Sequence, residues 1–269
     1  MQTSLPDYAK RLRLQHEAFG PDFEAAFRRL FGASRPQSVA DIACGDGGFT
    51  RMLARIFGDA DVVGFDVDDD FLRSARKQTR IHNVRFEQRD VLKDDAELER
   101  HDIVFCADSF QSIDDHRRLL DRMQTMLRPG GHLIVTETDN LHDLILSVEP
   151  ELELQLRTRE CEQQSGSRRE GWVFPRHVTG HLRSLRFEAV RFDTVTANRV
   201  GPLDDATARW LRQHLRDRLQ TAEISSSSDI GSRLHPDGCR FIGGDPDVTL
   251  TFLRYVAIGR RPVDDSPND

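Results

Sequence analysis

Two glycines and three aspartates are the residues in this chain best placed to do chemistry. Gly45 and Gly47 follow the apolar run 39–43, which contains a single acid, Asp41. A helical apolar pattern begins directly after them, at residues 49–57. A strand, a glycine turn and a helix in this order bring bare backbone and a helix N-terminus towards a nucleotide-like ligand.

The turn itself restricts the kind of ligand. A dinucleotide fingerprint needs a third glycine three residues after the second, and Thr50 stands there. No lysine follows the turn, which excludes a P-loop. The acid Asp41 inside the strand favours a ligand that carries a cation. The segment therefore predicts a ligand with a positive charge and no phosphate.

Two further acids lie at the carboxyl ends of the next predicted strands. Asp66 follows about 20 residues after the turn, where a carboxylate accepts hydrogen bonds from ribose hydroxyls. Asp90 and Val91 end the third strand, where a carboxylate and a backbone N–H can bind the adenine edge. An adenosine with a cationic tail and no phosphate describes S-adenosylmethionine.

The elements that must position these residues alternate between strand and helix. Strands are predicted at residues 39–43, 61–66, 83–90, 101–108 and 132–137, and helices at 49–57, 69–81 and 114–128. Pro129-Gly130-Gly131 is predicted to stop the last of these helices. This alternation indicates a mostly parallel sheet with helices on both faces.

The remaining segments are predicted as additions to this sheet. Helices are expected at 5–31 with an interruption at Gly20-Pro21, within 141–169, at 174–185 and at 203–219, and strands at 187–196 and 248–258. We divide the chain into an N-terminal helical cap (1–34), a binding core (35–140), a helical cap insertion (141–185), C-terminal strands (186–261, with a helical insertion at 202–236) and a disordered tail (262–269).

Five short motifs follow one another in the core. They are Asp41-x-Ala43-x-Gly45-x-Gly47, Gly64-x-Asp66, Arg89-Asp90-Val91, His101-Asp102-Ile103-Val104 and Leu127-Arg128-Pro129-Gly130-Gly131. In this order they resemble the class I S-adenosylmethionine-dependent methyltransferases of the small-molecule type. The resemblance covers residues 35–140 with specific motifs and 187–196 and 248–261 loosely. It implies an α/β fold, a Rossmann-like doubly wound seven-stranded sheet whose last strand is antiparallel, with an added helical cap.

The resemblance also implies the residues that hold the cofactor. The expected set is Asp41, Ala43, Cys44, Gly45, Gly47, Asp66, Val67, Asp90, Val91 and Ala107. The glycine turn and Asp41 would surround the methionine part, and Asp66 the ribose. Asp90 and Val91 would meet the adenine, and the backbone of Ala107 the cofactor amine. The chain departs from the family at Ala43, where a glycine is usual.

The sequence contains no specific motif for binding the methyl acceptor. Many members of the family carry a histidine pair after strand four, where this chain has Phe110 and Gln111, so no catalytic residue is assigned there. His142 and His16 are candidates for a general base, and a solvated histidine is the alternative for each. The candidates for binding the acceptor are Tyr8, Phe110, Gln111 and His142, and for the aromatic residues a place in the core is the alternative.

Composition limits the partners of this chain of 269 residues. The net charge of −7 disfavours nucleic acid, whose phosphates need a basic face. The four cysteines contain no CxxC pair, so no metal site is expected. No apolar run reaches the roughly 20 residues of a membrane span, and no secretory signal is recognised, which predicts a cytoplasmic protein. A homodimer is left open.

The predicted activity is transfer of the sulfonium methyl group to an oxygen, nitrogen or carbon nucleophile of a small-molecule acceptor, such as a secondary metabolite, by in-line displacement. The cofactor brings the reactivity, so alignment of the acceptor can suffice. Two alternatives keep the same cofactor motifs: a non-methylating reaction such as a cyclisation, and a cofactor-binding regulatory subunit. A nicotinamide oxidoreductase is disfavoured by Thr50 in the turn.

Overall fold

Eight strands form one mixed sheet in the part of the chain that the computed structural model describes, residues 5–93, 99–225, 228–236 and 241–263. The strands are β1 (Ser38–Ile42), β2 (Asp61–Asp66), β3 (Val84–Gln88), β4 (His101–Ala107), β5 (Leu127–Glu137), β6 (Leu144–Leu146), β7 (Glu188–Val200) and β8 (Thr249–Arg260). The helices are α1 (Leu5–Phe31), α2 (Gly48–Phe57), α3 (Asp69–Gln78), α4 (His116–Thr125), α5 (Pro150–Glu162), α6 (Gly166–Trp172), α7 (Val178–Ser184), α8 (Asp205–Thr221) and α9 (Asp229–Leu234), with 3-10 turns at Phe174–Arg176 and Ile242–Gly244.

The order of the main strands is β3-β2-β1-β4-β5-β8. All pairs up to β5 are parallel, and β8 pairs antiparallel with β5. The carboxyl ends of β1, β2, β3 and β4 therefore lie along one edge of the sheet, where open α/β sheets bind their ligands. The predicted doubly wound sheet with an antiparallel last strand is confirmed.

Strand β8 has partners on both of its sides. Both β5 and β7 pair with its residues 255–260, so they lie on opposite sides of it. Strand β6 pairs with residues 250–252 of β8, and β7 pairs with the same residues from the other side. Strand β6 therefore lies on the same side of β8 as β5. The sheet thus has the seven expected strands and one additional short strand, β6, beyond β5 on the same side of β8.

Several predicted elements differ from the structure. Strand β6 lies inside the segment 141–169, where helix was expected, and α1 and β5 differ as follows. Helix α1 is continuous although Pro21 lies inside it, because Phe19 and Phe23 on either side of this proline are fully buried against the core. Strand β5 starts at Leu127, so the predicted helix stop lies within a strand. There the N–H of Gly130 donates to the carbonyl of Arg261, and the N–H of Arg261 to the carbonyl of Gly131.

Both faces of the sheet carry a helical layer. Helices α1, α2 and α8 contribute to the apolar cluster on one face, while α4 and α7 contribute to the cluster on the other. Aromatic contacts join the first layer to the sheet, since the ring of Phe19 stacks on Phe252 with centroids 4.7 Å apart and meets Trp210 edge-on at 4.6 Å. No described helix combines the length and the apolar character that a membrane span requires. The predicted tail lies outside the described residues from position 264 onwards.

Replacing Phe19 by alanine tests this aromatic junction. We expect Phe19→Ala to lower the free energy of unfolding by about 3–5 kcal/mol, because it opens a cavity between α1, α8 and β8. Denaturant unfolding measures the change. Leu154→Ala is the control, since this side chain is 64% exposed on α5 and its loss should change stability by less than about 0.5 kcal/mol. Equal effects of the two variants would contradict the role of Phe19.

Candidate functional site

The glycine turn between β1 and α2 has a backbone that favours glycine. Gly45 has φ +54° and Gly47 has φ +76°, both in the left-handed region, and Ala43 shares it at φ +54°. A Cβ on Gly47 would lie 2.7 Å from Cζ of Phe86, so this position has no room for a side chain. The N–H of the buried Cys44 donates to the carbonyl of Phe65 at 2.9 Å, which joins the turn to β2.

Asp66 holds this turn from the end of β2. Its Oδ2 accepts the N–H of Gly45 at 2.8 Å, and its Oδ1 accepts the N–H of Asp68 at 3.0 Å. Burial raises the pKa of Asp66, although these backbone donors act in the opposite direction. A carboxylate has about four acceptor positions, so these two hydrogen bonds do not exhaust its capacity to bind hydroxyl groups of a ligand.

Asp41 lies in β1 beneath the turn and is almost fully buried. The hydroxyl of Thr50 donates to its Oδ2 at 2.6 Å. Burial raises the pKa of Asp41 to about 7, and the neighbouring charge of Asp66 adds to this. The residue that replaces the third glycine of a dinucleotide fingerprint is thus the hydrogen-bond partner of the acid in the strand.

The other predicted cofactor residues lie along the same edge. Asp90 follows β3 and forms an ion pair with Lys93 at 3.0 Å between Oδ2 and Nζ. Val67 is 59% exposed after β2, whereas the side chain of Val91 is buried in the core. Ala107 is the last residue of β4, which is the direct neighbour of β1 in the sheet. The structure therefore brings the carboxyl ends of β1, β2, β3 and β4 together.

The predicted acceptor residues do not form one group. Phe110 is fully buried and stacks on Phe174 with ring centroids 4.0 Å apart, so its side chain offers no surface to an acceptor. Gln111 is half-buried, and His142 is exposed beyond β5. The side chain of Tyr8 lies outside the described part of the structure.

Helix α1 covers the glycine turn. The ring of His16 meets Phe49 edge-on at 4.7 Å, and its Nε2 would be only 2.4 Å from a Cβ on Gly48. Cδ1 of Leu12 lies 3.5 Å from the place where a Cβ on Gly45 would be. Burial lowers the pKa of His16 to about 4, opposed by the charge of Asp46, so that its ring is neutral at pH 7.

A second polar group beside the turn escaped sequence reasoning, and we call Gln15, Asp108, Glu137 and Arg254 the Asp108 cluster. Oδ2 of Asp108 accepts Nε2 of Gln15 at 3.1 Å and a guanidinium NH2 of Arg254 at 2.6 Å. Oε1 of Glu137 accepts the backbone N–H of Ser109 at 2.7 Å. Burial raises the pKa of Glu137 to about 8, and the charge of Asp108 adds to it. Asp108 and Glu137 could have been found from the sequence, because both lie at strand ends as Asp66 does. No sequence pattern marks Gln15 and Arg254 as members of a site.

Comparison with known proteins relates the chain to methyltransferases. Residues 39–131 match the family model of a methyltransferase domain. The chain is 32% identical over 179 residues to a trans-aconitate 2-methyltransferase of Rhodopseudomonas palustris (strain BisB18), covering 66% of this chain and 68% of that protein.

Other relatives align over a shorter part. Identity to the trans-aconitate 2-methyltransferase of Acidovorax ebreus is 34% over 135 residues, which is 50% of each protein. The chain thus spans only between 39% and 50% of the length of several relatives that it matches. A crystal structure of a candidate methyltransferase from Bacillus halodurans shares the fold, with a TM-score of 0.54 at 16% identity over 88% of this chain and 98% of that one.

The contact between α1 and the turn can be tested by a double-mutant cycle. We expect Gly48→Ala to lower the free energy of unfolding by about 1–3 kcal/mol, because its Cβ collides with His16. His16→Ala should remove most of this loss when the two changes are combined. Gly180→Ala in α7 is the matched control, since a Cβ there meets nothing within 4 Å. Strictly additive effects of the two changes in denaturant unfolding would refute the contact.

The buried acid Asp41 makes stability depend on pH. In the unfolded chain this acid ionises near pH 4, whereas burial keeps it protonated in the fold up to about pH 7. The wild type should therefore lose stability relative to Asp41→Asn as the pH rises from 4 to 7, by at most about 1.4 kcal/mol per pH unit, and the difference should level off above pH 7. Unfolding in denaturant at several pH values measures this.

Asp102 at the opposite edge of the sheet provides the control for the Asp41 experiment. Partial burial alone would raise the pKa of Asp102. The pKa is nevertheless held below its ordinary value, because the carboxylate accepts hydrogen bonds from Arg128 and from the backbone N–H groups of Gln37 and Ser38. The stability difference between the wild type and Asp102→Asn should therefore change only below about pH 4 and in the opposite direction. A flat Asp41→Asn difference between pH 4 and 7 would contradict the buried, protonated acid.

Proposed function

The chain belongs to the class I S-adenosylmethionine-dependent methyltransferases, and on this premise we propose that it is an active enzyme that methylates a small-molecule acceptor. S-adenosylmethionine is the cofactor of this family. The observation that carries the proposal is the carboxylate of Asp66 bound to the N–H of Gly45, which fixes an acid and a glycine backbone side by side at the ligand edge of the sheet.

The residues at this edge fit the cofactor chemically. The backbone of the glycine turn carries no side chains at Gly45 and Gly47, which allows close approach of the methionine part. The free acceptor positions of Asp66 suit two ribose hydroxyls, and Asp90 suits the adenine amine. The charge of a bound cation nearby would lower the pKa of Asp41 and so favour its carboxylate form.

The cofactor supplies an electrophilic methyl group on a sulfonium. The remaining tasks of the protein are to orient the acceptor and to exclude water. Helix α1 serves both tasks in our proposal, because Leu12 and His16 cover the turn and Gln15 reaches the end of β4. Since Gly45 is buried beneath this cover, α1 must move outwards to admit a nucleoside.

The names of the relatives support a carboxylate-bearing acceptor. Trans-aconitate is a small unsaturated tricarboxylic acid, and we propose an acceptor of this chemical class. A carboxylate oxygen is already nucleophilic at neutral pH, so methylation of it needs alignment but no general base. For a hydroxyl acceptor, the neutral His16 beside Gly48 would be the candidate base on α1. The net charge of −7 supports a small molecule over a nucleic acid.

Asp66→Ala tests how the cofactor is held. Calorimetry with S-adenosylhomocysteine should show at least a tenfold loss of affinity, because two hydroxyl hydrogen bonds and the support of the turn are removed together. Asp102→Asn is the control, since Asp102 also accepts two backbone N–H groups, those of Gln37 and Ser38, but at the opposite edge. Its affinity should equal that of the wild type. Unchanged affinity in Asp66→Ala would exclude the ribose role, and no binding by the wild type would exclude the cofactor.

Methyl transfer itself is tested by incubating the protein with S-adenosylmethionine and trans-aconitate. Mass spectrometry should detect a methylated acid and S-adenosylhomocysteine in equal amounts. A changed acceptor without S-adenosylhomocysteine would indicate a rearrangement instead. Tight cofactor binding without turnover of any acceptor in a panel of small carboxylic acids would favour a regulatory subunit.

A further inference from the structure

Arg254 is a fully buried arginine whose hydrogen bonds are incomplete. One NH2 donates to Asp108 at 2.6 Å, whereas its Nε and NH1 have no hydrogen-bond partner in the described part of the chain. The guanidinium carbon lies 4.8 Å from the ring centre of Phe23 and 5.1 Å from that of Phe49. Aromatic faces attract the cation but accept none of the hydrogen bonds that its edge can donate.

Unpaired donors of this kind are costly. Each buried N–H without an acceptor forfeits its hydration, and the cost is larger on a charged group. Arginine stays charged when buried, so the cost cannot be avoided by loss of a proton. An anionic ligand would supply an acceptor to these donors, since an ionised oxygen forms a strong hydrogen bond with a guanidinium N–H. Nε and NH1 lie on different edges of the guanidinium, so a carboxylate meets one of them at a time.

Three other arginines, Arg157, Arg176 and Arg218, have surroundings that explain them. Arg218 donates both to Glu160 at 2.8 Å and to Asp143 at 3.1 Å. Arg176 binds Asp139 through two of its nitrogens. Arg157 has an unpartnered NH1, but it borders a cavity of about 30 Å³, which is room for a water molecule. Arg254 differs from all three.

Arg254 also lies beside the proposed reaction site. Its partner Asp108 directly follows Ala107 at the end of β4, and Phe49 belongs to the first turn of the helix that follows the glycine turn. The same Asp108 oxygen is shared with Gln15 of α1. The guanidinium is therefore joined through the Asp108 side chain both to the end of β4 and to Gln15 of α1.

We propose that Arg254 is the carboxylate receptor of the reaction site. It binds either a carboxylate of the acceptor or the carboxylate of the cofactor's methionine part, and this inference rests on the proposed function. Since Arg254 has no exposed surface, the ligand reaches it only after covering residues such as Gln15 move away with α1. Asp108 holds the guanidinium in position until then.

Arg254→Met tests the proposal, with Arg199→Met as the matched control. Arg199 also stacks on an aromatic ring, with its guanidinium carbon 5.3 Å from the ring centre of Phe19, and also contacts α1 through Asp22, but it lies on β7 away from the Asp108 cluster. Calorimetry measures binding of S-adenosylhomocysteine and of 5′-methylthioadenosine, which has the same nucleoside and sulfur but no carboxylate. Binding of trans-aconitate to the protein loaded with S-adenosylhomocysteine is measured in parallel.

Two results support the proposal and identify the source of the carboxylate. If Arg254 binds the cofactor, Arg254→Met loses at least tenfold in affinity for S-adenosylhomocysteine and keeps its affinity for 5′-methylthioadenosine. If it binds the acceptor, the affinity for S-adenosylhomocysteine is kept and that for trans-aconitate falls at least tenfold. In either case Arg199→Met behaves as the wild type.

Other results overturn it. The first is that Arg254→Met loses affinity equally for S-adenosylhomocysteine and for 5′-methylthioadenosine. The second is that Arg254→Met keeps its affinity for S-adenosylhomocysteine while binding of trans-aconitate is unchanged, or is absent in the wild type as well. Because Arg254→Met leaves Asp108 buried without its cation, the double variant Asp108→Asn/Arg254→Met serves if the single one does not fold, with the same readouts. Failure of methyl transfer by the wild type would refute the proposed function, while the binding measurements with S-adenosylhomocysteine, 5′-methylthioadenosine and trans-aconitate would still decide the role of Arg254.

Discussion

The hydrogen bond from the N–H of Gly45 to the carboxylate of Asp66 is the interaction on which the site depends. It joins the turn after β1 to the end of β2, so two neighbouring parallel strands present one continuous polar edge. The left-handed backbone of the turn is possible because Gly45 and Gly47 lack side chains, and the carboxylate compensates an N–H that the turn leaves without a strand partner.

Buried charge is the second constraint. Asp41 and Glu137 both lie in the sheet at its ligand edge, and burial raises the pKa of each, to about 7 and about 8. Carboxyls that are costly to ionise in the fold favour a cationic ligand, since a positive charge nearby stabilises the ionised form. Arg254 and Asp108 neutralise each other in the same region. The edge is thus polar and buried at once, which is typical of sites that exclude water from a reacting group.

Helix α1, which covers this edge, packs against elements from the C-terminal part of the chain. Phe19 of α1 lies between Trp210 of α8 and Phe252 of β8, so the N-terminal helix is fastened to the C-terminal strand. The aromatic contacts hold the middle of α1, and the residues that reach the turn, Leu12 and His16, belong to its first half. The helix is therefore anchored to the core by its middle, while its first half contributes the residues that contact the turn.

Local patterns were enough to predict the alternation of strands and helices, the glycine turn and the acids at the strand ends. Each of these depends on neighbouring residues and on the shared edge of a parallel sheet. Long-range packing was needed to show that α1 continues through Pro21, that Gly130 lies within a strand and that Phe110 belongs to the core. It also decided the Asp108 cluster, whose hydrogen bonds from Gln15 and Arg254 span 93 and 146 residues. Contacts between such distant residues arise from packing and leave no local pattern in a sequence.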